Sequence, residues 1–481
     1  MFNDINILNG TLIFPENSRK GHIGVTQGKI SQITADARKL TPAEKSIDAA
    51  GLLVFPGFID SHVHIRGGVF SFREDFVSAS SAAAAAGITT LMEMPGCAKP
   101  ASTLQNFLLR VAEVERDAWV DVALYGGAGA DNLDQIVPLA AAGAIGFKTF
   151  LMPPVRGREK EFYGLCAAGP GELESVMTQV AKTGLPLTIH CEDPVIVSAS
   201  TERMMAQGKN RVRDFCASRP ETAEIKAVER AIRAAGQTGC RTIVAHVSSV
   251  AALAMIVKAQ LAGVDIHAET CAHYLTFDSD SMDRYGVFAR MKPPFRSRVN
   301  VDRLVLGYAA GQIEITGSDH APFTRQEKLQ NGTSIWRAPD GLPGLEMTLP
   351  LLFRLVEEGR LTYERIAGNT AENTARLFGL AKSKGRLEPG RDADLVLVAR
   401  LETPEYLKRA TLRSKARDCA VIYDGLAVRH KVMYTFVRGR LAYETGNVLP
   451  QRGQGRFLQP DSRAAAGSGT AIRNDKEKGS V

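Results

Sequence analysis

The chain has 481 residues, 44% of them apolar, which is enough for a large core and more than one ordinary domain needs. Its net charge of +7, with a pI near 9.0, comes from lysines and arginines spread along the chain, so neither the basic stripe of a nucleic-acid-binding protein nor a nucleic-acid partner is expected. Seven cysteines with no regular spacing and no CxxC pair exclude a disulfide framework and a zinc ribbon; the opening MFNDINILNGTLIF has no basic leader, and no run reaches the roughly 18 apolar residues of a membrane span, so a cytoplasmic setting is expected.

Residues 1–55 read as short strands and turns: INILNGTLIF, HIGVTQGKISQI with a turn at Gln27-Gly28, and SIDAAGLLVF. Residues 56–384 alternate apolar strand-like runs with longer helical patterns. The strand candidates include GITTLMEM, VDVALYG, IGFKTFL, LPLTIHCE, RTIVAHVS, VDIHAET and IEITGSDH. This alternation predicts an α/β fold, a (β/α)8 barrel. Within it, alanine-rich Ser78 to Ala86 predicts a helix stopped by Gly87, and Ser249 to Leu261 predicts another. Residues 385–460 return to strands in GRDADLVLVA, HKVMYTFVRG and RLAYETG, so the two chain ends are expected to meet in one small composite β-sandwich domain. The tail, 461–481, is too polar and small-residue-rich for a core and is expected to be disordered.

The most informative segment is PGFIDSHVHIR, where His62 and His64 alternate on a short extended run after Pro56-Gly57. Residues two apart on a strand share a face, so both imidazoles can reach one metal. His190, His246 and Asp319 each end an apolar run, and in a β/α barrel the C-terminal strand ends line the active site. A lone strand-end histidine is more often structural. Four of them with an aspartate favour a metal site.

With these residues the chain resembles the cyclic amidohydrolases of the amidohydrolase superfamily, a group of hydantoinases, dihydropyrimidinases, allantoinases and dihydroorotases. The motifs carrying the resemblance are VFPGFIDSHVHIR, GITTLMEMP, AIGFKTFL, IHCED, AHVSS, AETCAHYLTF, MKPPFR, GSDHAPF, APDGLPGLE and KGRLEPGRDADLVL. The resemblance implies two divalent metal ions, with zinc expected: His62 and His64 at the more buried one, His190 and His246 at the second, Lys148 bridging both, and Asp319 completing the first site as general base and acid. An ammonium has no lone pair for a cation. The resemblance therefore implies an N6-carboxylated Lys148, a carbamate formed with carbon dioxide. Two cations about 3.5 to 4 Å apart would lower the pKa of a shared water toward about 7 for attack on a ring carbonyl. A cyclic ureide or imide is the implied small-molecule partner, and a homotetramer or homodimer the implied assembly.

Substrate signals are mixed. AETCAHYLTF, AHVSS and MEMP resemble allantoinases, APDGLPGLE resembles hydantoinases or dihydroorotases, and DVALYGGAGADNLDQI with AGAIGFK resembles the L-hydantoinase or allantoinase-like subgroup. Dihydropyrimidinases and D-hydantoinases carry an oxyanion-binding tyrosine five residues beyond the lysine, where this chain has Pro153. Dihydroorotases bind a substrate carboxylate with an arginine after the HxH pair and an asparagine after MP; here Arg66 is present and Gly96 replaces the asparagine. Arg66 can hold an anionic substrate or pair with Glu74 or Asp75 as scaffold. Main-chain groups at Lys292 and at Asp340 with Gly341 are implied to bind the ring. Cys97, Cys191 and Cys271 read as packing residues, and His267, His273 and His320 as supports for the ligands. Dihydroorotase is the alternative activity, and a non-catalytic scaffold relative the alternative of another class.

Overall fold

A computed structural model of the chain describes residues 2–155, 157–449 and 453–461. The expected tail, from residue 462 on, lies outside them. Parallel strands form a closed barrel: Phe58–Val63, Ile88–Glu93, Asp121–Leu124, Phe147–Phe150, Leu187–His190, Thr242–Val244, Ile266–Thr270 and Ile315–Thr316. They pair as two sheets whose edges meet at two seams. At one, Ile145 N donates to Leu124 O at 2.9 Å; at the other, His64 N donates to His320 O at 2.8 Å and Val63 bridges His320. The strands are buried on both faces because helices cover the outside, which is why they read as continuous apolar runs.

The two predicted helices form with identifiable caps. The first starts earlier than expected, at Phe76–Ala85, because Asp75 accepts from Ser78 N in a capping box. The second, Val250–Leu261, takes Ser249 as its N-cap. No helix among the described residues is long and apolar enough to cross a membrane.

Both chain ends contribute to one nine-stranded sheet, in which Leu52–Pro56 pairs with Leu395–Tyr406 antiparallel and Asn3–Ile13 parallel. The expected run SIDAAGLLVF divides into the ends of two strands, Ala43–Asp48 and Leu52–Pro56, because Gly51 takes φ 80° at the turn between them. The range 385–460 does not all join this layer. Phe457–Leu458 pairs with Val122 and Ala123 of the barrel, and residues 407–426 leave the sheet between Leu395–Tyr406 and Ala427–Val437 to pack on the barrel. A buried ionic knot joins sheet to barrel floor: Lys384 Nζ lies 2.6 Å from Asp121 Oδ2, 2.6 Å from Asp394 Oδ2 and 3.0 Å from Asp392 Oδ2. The ammonium fills that acidic group, so the cluster is structural.

Candidate active site

The strand ends bring the predicted residues together in one cavity, lined by His62, His64, Lys148, His190, His246 and Asp319. His62 and His64 lie at the end of the first barrel strand, and the Nε2 atoms of both are 3.4 Å from Asp319 Oδ1. Across the cavity, His190 Nδ1 is 3.1 Å from His246 Nε2. The two clusters are adjacent, the rings of His62 and His246 being 5.3 Å apart. Lys148, 1% exposed, reaches the same space, and its Nζ has no hydrogen-bond partner among the described residues.

The hydrogen bonds behind the imidazoles decide which nitrogens are available. His62 Nδ1 donates to Glu269 Oε1 at 2.7 Å, which leaves the Nε2 lone pair facing Asp319. His190 Nε2 donates to Glu192 Oε2 at 2.8 Å, which leaves its Nδ1 lone pair facing His246. Glu269 also accepts from Ser61 Oγ at 2.7 Å, and Glu192 is gripped by Arg219 through Nε at 2.8 Å and Nη2 at 2.6 Å. Such carboxylates fix the tautomer and orientation of a ligating histidine. Glu192 and Glu269 stand inside the motifs IHCED and AETCAHY, but their roles depend on pairings that sequence spacing does not show.

Electrostatics follow from burial. It pushes the imidazole of His64 down to about 3 and those of His190 and His246 below the usual histidine range, so all three stay neutral, the form that binds metal. Burial also lowers Lys148 to about 8, so its ammonium gives up a proton more readily than an ordinary lysine does. For Asp319 burial alone would raise the carboxyl; the imidazoles of His62, His64 and His246 outweigh it and hold the group ionised, well below the carboxylate range. Three residues of the cavity wall, Arg66, His246 and Asp319, adopt left-handed backbone at φ 67°, 40° and 45°. Non-glycine residues rarely do so, and such strain gathers at functional sites.

The donor set fits divalent cations. His62 Nε2 and His64 Nε2 both stand 3.4 Å from the same carboxylate oxygen. His62, His64 and Asp319 offer ligand atoms all within 4.8 Å of one another. Lys148 is the exception as an ammonium, and its unpartnered Nζ is the observation that a carboxylated lysine would explain.

The outer cavity is lined by Arg66, Gly96, Lys292, Asp340 and Gly341, with an apolar wall that includes Phe150, Phe162 and Phe323. Arg66 pairs with neither Glu74 nor Asp75. Glu74 is occupied by Ser414 and His320, and Asp75 by Ser78 and Lys415. Instead Arg66 Nη1 donates to Gly96 O at 3.0 Å, and its Nε has no partner among the described residues. Burial, with Arg158 and Arg73 nearby, lowers this guanidinium to about 10. A Cβ added at Gly96 would meet nothing within 4 Å, so the missing asparagine leaves open space.

On the opposite side Asp340 Oδ2 is 2.8 Å from Lys292 Nζ, and its Oδ1 is 2.8 Å from Arg290 Nε. Gly341 N donates to Arg290 O at 3.1 Å, which ties this turn to the segment that carries Lys292. The glycine itself is required, because at φ 147° a Cβ would lie 2.6 Å from Ala321 O. Pro153 does not line the cavity, and no tyrosine does among the described residues.

Comparison with known proteins agrees with this geometry. The amidohydrolase family pattern matches residues 53–442. An L-hydantoinase of Paenarthrobacter aurescens is 34% identical over 457 residues, 95% of this chain and 98% of that protein. An allantoinase of Rubrobacter xylanophilus is 36% identical over 456 residues, 94% and 97% of the two chains. Among solved structures, an L-hydantoinase (dihydropyrimidinase) from Arthrobacter aurescens superposes with a TM-score of 0.91 at 33% identity, covering 95% of this chain and all 100% of the other. A D-hydantoinase structure superposes with a TM-score of 0.86 at 26% identity over 95% of this chain and 98% of its own. By its matched residues, its fold and its cluster of strand-end ligands, the chain belongs to the amidohydrolase family.

Proposed function

We propose that this chain is a binuclear-metal cyclic amidohydrolase that opens the ring amide of a hydantoin-like or allantoin-like substrate. The observation that carries the reading is the pair of adjacent clusters, His62 and His64 with Asp319, and His190 with His246, around a buried lysine that no group among the described residues satisfies. His62, His64 and Asp319 would hold one ion, His190 and His246 the other, and a carboxylated Lys148 both. Two divalent cations would supply Lewis acidity, lowering the pKa of water toward about 7 and polarising the ring carbonyl. Zinc fits the nitrogen and oxygen donors, though manganese, cobalt or iron could occupy them as well.

Asp319, ionised and aimed into the cavity, takes the proton of the attacking water and delivers it to the departing ring nitrogen. The C–N bond breaks and leaves an N-carbamoyl or amide acid. Lys292 and the Asp340-Gly341 turn hold the ring from the opposite wall, while the apolar wall takes its substituent. The absence of a lining tyrosine leaves oxyanion stabilisation to the cations and separates this site from the dihydropyrimidinase pattern.

Arg66 favours a second reading, in which the substrate is anionic and dihydroorotate is one candidate. A half-buried guanidinium that has no carboxylate partner among the described residues, with an unpartnered Nε beside the cavity, is suited to a carboxylate. The homotetramer or homodimer rests on resemblance to the group alone. The test is a zinc- and bicarbonate-loaded preparation offered hydantoin, 5-substituted hydantoins of both hands, allantoin, dihydrouracil and dihydroorotate. Ring opening of hydantoins or allantoin is expected. Turnover of dihydroorotate alone would select the second reading, and a protein that held no metal and opened none of these rings would be a scaffold rather than an enzyme.

A further inference from the structure

We propose that Ser414, carried by the nine-stranded sheet's excursion, and Glu74 of the barrel form a clasp that positions Asp319 through its neighbour His320. This inference rests on the proton-transfer role given above to Asp319. The clasp starts from a residue in strained backbone: Asp319 has φ 45°, a conformation that the surroundings must hold in place.

His320 is fully buried and anchored on every side. Its Nδ1 faces Leu345 N at 3.5 Å, so Nε2 carries the hydrogen and donates to Glu74 Oε2 at 3.2 Å. Its own N donates to Ser318 Oγ at 3.1 Å, and its O accepts from His64 N at 2.8 Å. The residue that follows Asp319 therefore also fixes the backbone of His64, whose Nε2 approaches the same carboxylate.

Glu74 is likewise 0% exposed, and a carboxylate this deep needs donors from every direction. Two come from outside the barrel: Ser414 Oγ donates to Oε2, and Lys415 N lies 3.4 Å from Oε1. Residues 413–415 are themselves held down. Glu346 accepts from Arg413 N at 3.0 Å and Ser414 N at 3.1 Å, and Lys415 Nζ reaches Asp75 Oδ2 at 2.6 Å and Ser71 O at 2.7 Å. The chain from Ser414 to Glu74 to His320 is thus continuous and buried, and it ends beside the carboxylate that moves the proton. Lys415 makes a comparable tie at the surface, with its side chain 37% exposed, and touches nothing in the cavity.

The test compares the zinc-loaded full-length parent with Ser414→Ala, Ser414→Thr, Glu74→Gln and Lys415→Ala, on whichever of allantoin or a 5-substituted hydantoin the parent opens. Deuterium uptake of the peptide spanning His62 and His64 is followed in parallel. Ser414→Ala and Glu74→Gln are expected to lower kcat about tenfold or more, the loss usual for groups that orient a metal site. KM should stay within about twofold and zinc per chain unchanged, with faster uptake in the His64 peptide. Ser414→Thr keeps the hydroxyl and should keep kcat, and Lys415→Ala should cost thermal stability alone. Parental kcat in Ser414→Ala, or a loss that added zinc restores, would overturn the clasp; if Glu74→Gln fails to fold, Ser414→Ala decides. A parent inactive on both substrates would refute the proposed activity, and the deuterium uptake would still decide the clasp, unchanged uptake in Ser414→Ala overturning it.

Discussion

The inner and outer halves of the cavity are built by different rules. Inside, one histidine of each cluster is fixed from behind: Glu269 holds His62, and Glu192 with Arg219 holds His190. Outside, the polar groups are fewer and less satisfied. Arg66 grips only the carbonyl of Gly96, Gly96 leaves empty space, and Asp340 balances Lys292 and Arg290. A preorganised inner half suits a reaction common to many relatives, whereas an outer half with an unmatched charge and spare volume is where one substrate is told from another.

The largest expected effect lies in the inner half. Asp319→Asn should lower kcat by about 10²- to 10⁴-fold, the usual worth of a positioned acid/base group, with the circular dichroism spectrum and Tm unchanged. Activity near the parent's would remove Asp319 from proton transfer. Next comes Glu269→Gln, which removes the charge and turns one of the two oxygens that accept from His62 Nδ1, His246 N and Ser61 Oγ into a donor. Zinc titration should show affinity about 10- to 100-fold weaker. Unaltered affinity would mean that the imidazoles orient themselves.

A smaller, selective effect belongs to the outer half. Arg66→Ala should raise KM for carboxylate-bearing substrates by about tenfold or more and leave neutral ones near their parental values. Equal losses on both would make Arg66 a wall rather than a reader of charge. The smallest effect is on stability. His64 is held near 3 in the folded chain and sits near 6.5 when unfolded, so between these values the unfolded chain binds the extra proton. Stability of the metal-free protein should therefore fall as pH drops from about 6.5 toward 3. Calorimetric Tm values between pH 7 and pH 4 should show this, with a shallower fall in His64→Gln; identical slopes would assign the dependence to other groups.

What was legible in the sequence was local. His62 and His64 share a strand face because the backbone alternates, and His190, His246 and Asp319 stand where apolar runs end. The alternation of runs and helices likewise foreshadowed the barrel. What was hidden depends on residues far apart in the chain. Ser61 meets Glu269 across 208 positions and Ser414 meets Glu74 across 340, and neither spacing leaves a periodic trace. The scaffold pairing considered for Arg66 failed for the same reason: its adjacent acids, Glu74 and Asp75, are claimed by Ser414 and Lys415 from the other end of the chain. The return of Phe457–Leu458 to the barrel was hidden too, because a two-residue strand has too little pattern to declare its partner.

The proposed site holds two ions that share this cavity across Lys148. It is tested most directly by counting zinc per chain, by elemental analysis after loading with zinc and bicarbonate, in the parent and in Lys148→Ala. Two ions are expected in the parent and at least one fewer in the variant. One ion or none in the parent, or two retained in Lys148→Ala, would contradict it.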